Sequence, residues 1–391
     1  MVDQREGRLK TYSSQVGAQA LILSIPVRLG ILDPGQAIGA AEWLCAVASA
    51  IVLGLIPLWV FRRFGLLAAA VPATLILLSV WLTFYARNVY WVAFTIYAPF
   101  VYSLWRYPLL LEGKVASLRF HSVLAGLIAA KALCGYEFIS SVILAATVPV
   151  VFFSVQQGLP LRGIAARVGT VMAVGALAVI AVFGVHTVQH GTSTGDWRLS
   201  SMPYYARALD RGVAGVVNPK TEDGRPGVSA VTIAAQAADE GTGSAAGEEA
   251  PKESFLVNLV KRGTAAAKRH AMAYLSQPAI NFPFTRWFLS FGTVFLFCGG
   301  LLAFMIATSR NQNRSPQRRL LYRAMWISCA YAPLCSFSWI VAGLEHFLGH
   351  KWLNEIIFFV PMLLWFYMIA GIVFADLLRA REQLSSEQPS P

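Results

Sequence analysis

Runs of about twenty apolar residues, broken by short clusters of arginine, recur along most of this chain. A run of that length is what a helix needs to cross the roughly 30 Å hydrocarbon core of a bilayer. Water-filled folds cannot absorb so many such segments, so the pattern restricts the chain to a polytopic helical membrane protein. Composition agrees. Of the 391 residues 56% are hydrophobic and only 13% charged, with a mean hydropathy of +0.56. Soluble domains carry about 25% charged residues.

The expected fold class is therefore all-α, with about nine transmembrane helices and one external insertion. The spans lie near residues 38–61, 66–85, 89–105, 117–134, 138–155, 168–189, 287–308, 324–343 and 356–378. Segment 11–31, TYSSQVGAQALILSIPVRLGI, has an apolar stripe but carries Ser, Gln, Pro and Arg, and reads as a helix lying in the membrane interface. Five units follow: an external amphipathic segment 1–37, an N-terminal bundle 38–189, an external loop 190–286, a C-terminal bundle 287–378 and a tail 379–391. Within the loop, residues 212–251 are rich in Gly, Ala, Ser, Thr and acids without periodicity, which predicts partial disorder. Residues 252–275 suit a short amphipathic helix.

Orientation follows from the cations, because cytoplasmic connections are enriched in Lys and Arg. One set of connections holds Arg62 and Arg63, then Arg106, Lys114 and Arg119, then Arg162 and Arg167. It continues with Arg310, Arg314, Arg318, Arg319 and Arg323, and ends on Arg379 and Arg381. The alternate short connections, around 86–88, 135–137 and 344–355, hold only Arg87 and Lys351. The first set is expected in the cytoplasm, which makes the protein a multi-pass protein of the cell membrane. Its C-terminus is then cytoplasmic and the 190–286 loop external. The net charge of +12 is thereby a topology signal, and nucleic acid is excluded as a partner. The same assignment exports an N-terminus, MVDQREGRLK, that lacks a signal peptide. The expectation is that a first transmembrane helix is missing from the sequence.

Polar residues at the external helix ends are not explained by orientation. Arg87 and Asn88 occur in FYARNVYW, Lys131, Tyr136 and Glu137 in KALCGYEF, and His186 and His190 further on. In GLEHFLGHKWLNEIIFFVP (343–361), His346, His350 and Asn354 recur every fourth residue and would share one helix face. Cations, histidines and a carboxylate at headgroup depth suit a phosphate-bearing membrane lipid, since Arg grips two phosphate oxygens and Lys acts as a point charge. Structural alternatives stand beside each: capping for Arg87 and Asn88, snorkelling for Lys131, an internal ion pair for Glu137. His346 and His350 have the spacing of two metal ligands but no third is specified, so a divalent metal stays open and the cofactor unknown. Cys45, Cys134, Cys298, Cys329 and Cys335 lack C-x-x-C spacing and read as buried, inert thiols. No P-loop, Rossmann glycine fingerprint, nucleophile elbow or H-E-x-x-H occurs, which argues against soluble nucleotide chemistry.

Four stretches carry a family resemblance: YSSQVGAQ (12–19), WLTFYARNVYWVAFTIYAPF (81–100), GYEFISSVILAATVP (135–149) and SWIVAGLEHFLGHKWLNEIIFFVP (338–361). In them the chain resembles polytopic glycosyltransferases of the GT-C type, which use polyprenyl-phosphate-linked sugars, and looks closest to bacterial members. The resemblance implies an active site on the outer face, beside the first external loop. There an acidic residue activates the acceptor or binds a metal, and basic residues stabilise the departing lipid phosphate. It implies roles for Arg87 and Lys131 on phosphate, for His346 and His350 on phosphate or sugar, and for Glu137 in orienting a cation. Asn88, Tyr136 and Asn354 would complete the substrate site. Asp3 is the candidate for the family's carboxylate, unless that acid lay on the missing helix. Two other readings are a lipid-linked glycan transporter and a noncatalytic relative of the family.

Overall fold

The computed structural model describes residues 16–195, 197, 275–281, 288–312, 314–342 and 356–386. Asp3, His346, His350, Asn354 and the segments 212–251 and 252–274 lie outside them. The first half contains α1 (Ala18–Arg28), α2 (Pro34–Phe64), α3 (Leu66–Leu78), α4 (Val80–Ala86), α5 (Ala93–Leu111), α6 (Ser117–Cys134), α7 (Ile139–Gln156) and α8 (Leu161–Thr194). A two-stranded antiparallel hairpin follows, β1 (Pro278–Asn281) with β2 (Phe288–Ser290). The chain ends on α9 (Phe291–Arg310), α10 (Pro316–Ala342), the single turn α11 (Ile356–Phe359) and α12 (Met362–Ser386).

Six of these helices are long and apolar enough to cross a membrane: α2, α6, α7, α8, α9 and α12. The bent pair α3–α4 makes a seventh if it is one span. The two remaining expected spans coincide with α5 and α10, which are helical but less apolar. The helices are apolar on their outer as well as their inner faces. Trp43 is 71% and Leu296 80% exposed, which in water would be untenable across so many helices. This is a helical membrane protein fold with very little sheet.

The expected span 66–85 is interrupted. At Ser79 the backbone is extended and the axis turns by 67° between α3 and α4. Ser79 Oγ donates to the Leu75 carbonyl (2.7 Å) and lies 3.4 Å from the Tyr367 hydroxyl. The hydroxyl thus meets a carbonyl that the broken ladder leaves behind, as polar side chains do in apolar surroundings. Nothing in the local sequence marks the break. Several charges assigned to connections lie within helix ends instead: Arg106 in α5, Arg119 in α6, Arg162 and Arg167 in α8, and Arg318, Arg319 and Arg323 in α10.

The core forms around α7 and α12, in each of which 72% of the spanning window is buried. Trp365 of α12 is completely buried and meets Phe100 of α5 and Phe152 of α7 edge-on. Its indole N–H donates to Ser328 Oγ of α10 at 2.9 Å, so the one polar atom of this ring is satisfied. α10 packs along α7 and α12 along α3, so the C-terminal helices are inserted among the N-terminal ones.

Contacts between helix ends gather the cations at one end of the bundle. Arg379 of α12 donates to the Phe64 carbonyl closing α2, and Arg63 of α2 lies over Phe153 of α7 at 5.3 Å. Arg167 of α8 donates to Gln157 just past α7 (3.2 Å). On α10, Arg318 pairs with Asp376 of α12, whose same oxygen accepts from the Tyr322 hydroxyl at 2.6 Å. Removing that carboxylate strands a guanidinium and a phenol that are largely buried. Asp376→Ala should therefore lower stability by about 2 kcal/mol, less than a fully buried pair because both partners keep about a quarter of their exposure. Thermal unfolding in detergent, with Asp376→Asn as the milder comparison, reads this directly.

Candidate functional site

At the opposite, arginine-poor end, two tight turns meet. The α4–α5 turn is shaped by Asn88, whose Oδ1 accepts from the Trp91 amide three residues on, at 2.8 Å. The α6–α7 turn follows Gly135. Each turn ends on a residue with left-handed backbone, Val92 (φ 49°) and Phe138 (φ 63°), the only two such non-glycine residues among those described. A bulky or β-branched residue in that region costs about 1–3 kcal/mol, and such strain persists only where packing enforces it. Here Phe138 is wedged between Trp91 (5.5 Å) and Trp339 (5.2 Å). Across the two strained corners Trp91 meets Phe138 and the Tyr90 hydroxyl meets Glu137.

Lys131 lies in the last turn of α6 and is completely buried. Its ammonium donates to the Gly135 carbonyl at 3.0 Å, closing the helix end, and Glu137 is within electrostatic reach. Among the described residues no carboxylate comes close enough to form an ion pair with it. Glu137 accepts from the Tyr90 hydroxyl through Oε1 (3.1 Å), while its Oε2 is buried with no partner among the described residues. Tyr136 is buried beside His186, hydroxyl to Nδ1 3.4 Å and rings stacked 5.9 Å apart. Gln19 of α1 ties the two turns together, donating to the carbonyls of Tyr90 (3.1 Å) and Cys134 (3.0 Å).

Further buried polar atoms here lack described partners: Gln19 Oε1, Gln189 Oε1 and Trp91 Nε1. Each unsatisfied buried group costs about 1–3 kcal/mol. Native folds contain few, and those that persist call for an unseen polar partner or a function. Their concentration around Lys131 and Glu137, together with the strained corners, marks this as the best candidate site in the described structure.

The structure brings together Lys131, Tyr136, Glu137 and, through the adjoining turn, Asn88. It does not bring Arg87 to them. Arg87 pairs with Glu42 of α2 at 2.9 Å, at the surface, with side chains 65% and 38% exposed. Glu42 went unnoticed in the sequence although it is the one acid of the α2 span, and an ionisable residue in an apolar span signals function by default. Gln19, Tyr90 and Gln189 were also missed. Amides in helices and a phenol in a turn give no sequence signal until the fold shows which ends meet. Among the described residues no three His, Cys, Asp or Glu side chains converge to hold a metal. Four cysteines are buried and Cys134 half-buried, and none is in a disulfide.

Comparison with known proteins brings no relative to this geometry: no family model matches the chain, and neither a curated protein nor a solved structure matches it.

Proposed function

We propose that the protein is a membrane-embedded glycosyltransferase-like protein, transferring a sugar from a polyprenyl-phosphate donor to an acceptor at the arginine-poor, external face. The observation that carries this reading is the buried Lys131 side chain at one end of a tight turn and Glu137, whose Oε2 has no described partner, on that same turn. A fixed cation in a water-poor site is worth most where negative charge grows, as on a departing phosphate.

In the proposed reaction the acceptor hydroxyl attacks the anomeric carbon. The bond from that carbon to the phosphate oxygen breaks, and its electron pair leaves with polyprenyl phosphate, facing Lys131. The acceptor proton passes to Glu137 Oε2, a general base within the same site. The Tyr90 hydroxyl holds the other carboxylate oxygen of Glu137, and the Arg87–Glu42 pair stays exposed at the surface. His346, His350 and Asn354 keep the roles the resemblance implies for them, while Glu137 takes the part of the carboxylate for which Asp3 was the candidate.

A second reading, a noncatalytic lipid-binding relative, is favoured by one contact: Lys131 already donates to Gly135, as a helix-closing lysine would. One experiment separates the two. Full-length protein in lipid nanodiscs, given labelled polyprenyl-phosphate sugars, should release polyprenyl phosphate, and Glu137→Gln should reduce that release by about 10²–10⁴-fold. Absence of release from every donor, with the protein folded, would remove the catalytic reading.

A further inference from the structure

The arginine-rich end offers a second, unrelated feature. Most cations described in contact there are engaged within the fold. Arg63 lies over Trp59 at 5.1 Å, Arg318 holds Asp376, and Arg379 holds the Phe64 carbonyl. Lys114 takes Glu112 at 2.8 Å, and that hydrogen bond holds the exposed carboxyl below its usual range. Arg62 and Arg106 are set apart by their place, since both line one groove. Both are exposed, and among the described residues neither has a carboxylate partner.

These two arginines close one end of a groove of about 440 Å³ between α2 and α5. Its walls are apolar, made by Val52, Leu55, Ala98 and Val101. From Val52 to Arg62 the helix rises about 15 Å. That is half of a roughly 30 Å hydrocarbon core, the depth of a single leaflet. The guanidinium end is also prepared. Trp105 is fixed by an indole N–H···O bond to the Leu55 carbonyl (3.1 Å), and Arg62 lies over its ring at 5.3 Å. That stacking orients the guanidinium while leaving its N–H edge free to bind an anion.

We propose that this groove holds one anionic phospholipid of the leaflet at the arginine-rich end. Its phosphate sits between Arg62 and Arg106, and an acyl chain runs along Val52, Leu55, Ala98 and Val101. Orientation of the chain in the membrane requires cations at this end but no groove, no indole holding one of them in place and no leaflet-length apolar wall. The volume falls within the roughly 300–1,000 Å³ range of ligand sites. The occupant is a lipid and not a free anion, because the greater part of the lining is hydrocarbon.

The test is native mass spectrometry of the full chain released from nanodiscs of phosphatidylcholine with a minor fraction of phosphatidylglycerol. The wild-type protein should retain one phosphatidylglycerol in preference to phosphatidylcholine. The double change Arg62→Gln with Arg106→Gln should reduce that preference about tenfold or more, since each cation at the membrane surface contributes about fivefold. Ala98→Phe fills the groove without touching charge and should reduce retention equally. Thermal unfolding in pure phosphatidylcholine confirms that both variants are folded, and Ala98→Phe alone decides if the arginine variant is not. Lack of preference in the wild type, or preference undiminished in a folded Ala98→Phe protein, overturns the proposal. So does displacement of the lipid by excess inorganic phosphate, which would assign the site to a free anion. No sugar donor enters this measurement, so its outcome is independent of the proposed transfer chemistry.

Discussion

Lys131→Met should leave the protein folded while reducing release of polyprenyl phosphate by about 10²–10³-fold, the usual effect of deleting one preorganised charge-stabilising group. Met matches the length of the lysine stem and carries no charge. The stability cost is therefore one hydrogen bond to Gly135, on the order of 1 kcal/mol, offset by relief from burying an ammonium. The rate separates a structural lysine from a phosphate-binding one. If Lys131 only closes α6, the rate is unchanged. If it faces a leaving phosphate, the rate collapses, and in either case the melting temperature moves little. Combining Lys131→Met with Glu137→Gln sharpens the distinction, because groups acting in one step show strongly non-additive losses. Additive effects would mean that the two residues do not act together.

The largest structural effect is expected at Gly371, where α12 crosses α3. A Cβ built there overlaps the Ala68 carbonyl oxygen outright and lies 2.9 Å from Pro72 Cδ. Neither can yield, one being backbone and the other a ring in the helix interior. Small residues at membrane-helix crossings allow such backbone approach, and the contact is lost when they grow. Gly371→Val should force the helices apart and destabilise the bundle by about 3 kcal/mol or more, as overpacking a closed interface does. Loss of monodisperse protein in detergent, or a large fall in unfolding temperature, is the readout. Gly299→Ala in α9 is the control. A Cβ there meets nothing within 4 Å, so that variant should be neutral or gain about 1 kcal/mol of helix propensity. Equal tolerance at both glycines would contradict the packing described here.

The helices were legible in the sequence because membrane crossing is written locally, in the length and apolarity of each run. α2, α6 and α7 fall within a few residues of their expected places for that reason. The common location of the cations was legible too, since alternating helices return successive connections to the same end. The break at Ser79 was not, because its stabilising partner Tyr367 lies on α12, far along the chain. At the candidate site, Lys131, Tyr136 and Glu137 were found together because one turn carries all three. Arg87 was placed at the correct end but beside the wrong neighbour. Its partner Glu42 comes from another helix, and sequence spacing says nothing about which side chains meet across a gap. Gln19 was invisible for the same reason: its meaning depends on two carbonyls from separate turns.

The interior position of α12 bears on how the protein is made. Ribosomes deliver this helix after the others, yet Trp365 is what Phe100 and Phe152 close upon, and Arg379 is what reaches back to the end of α2. Until it arrives, Phe100 and Phe152 lack the ring they pack on. α12 must therefore enter between elements that precede it in the chain, and its contacts with α2, α5 and α7 form only once it has done so.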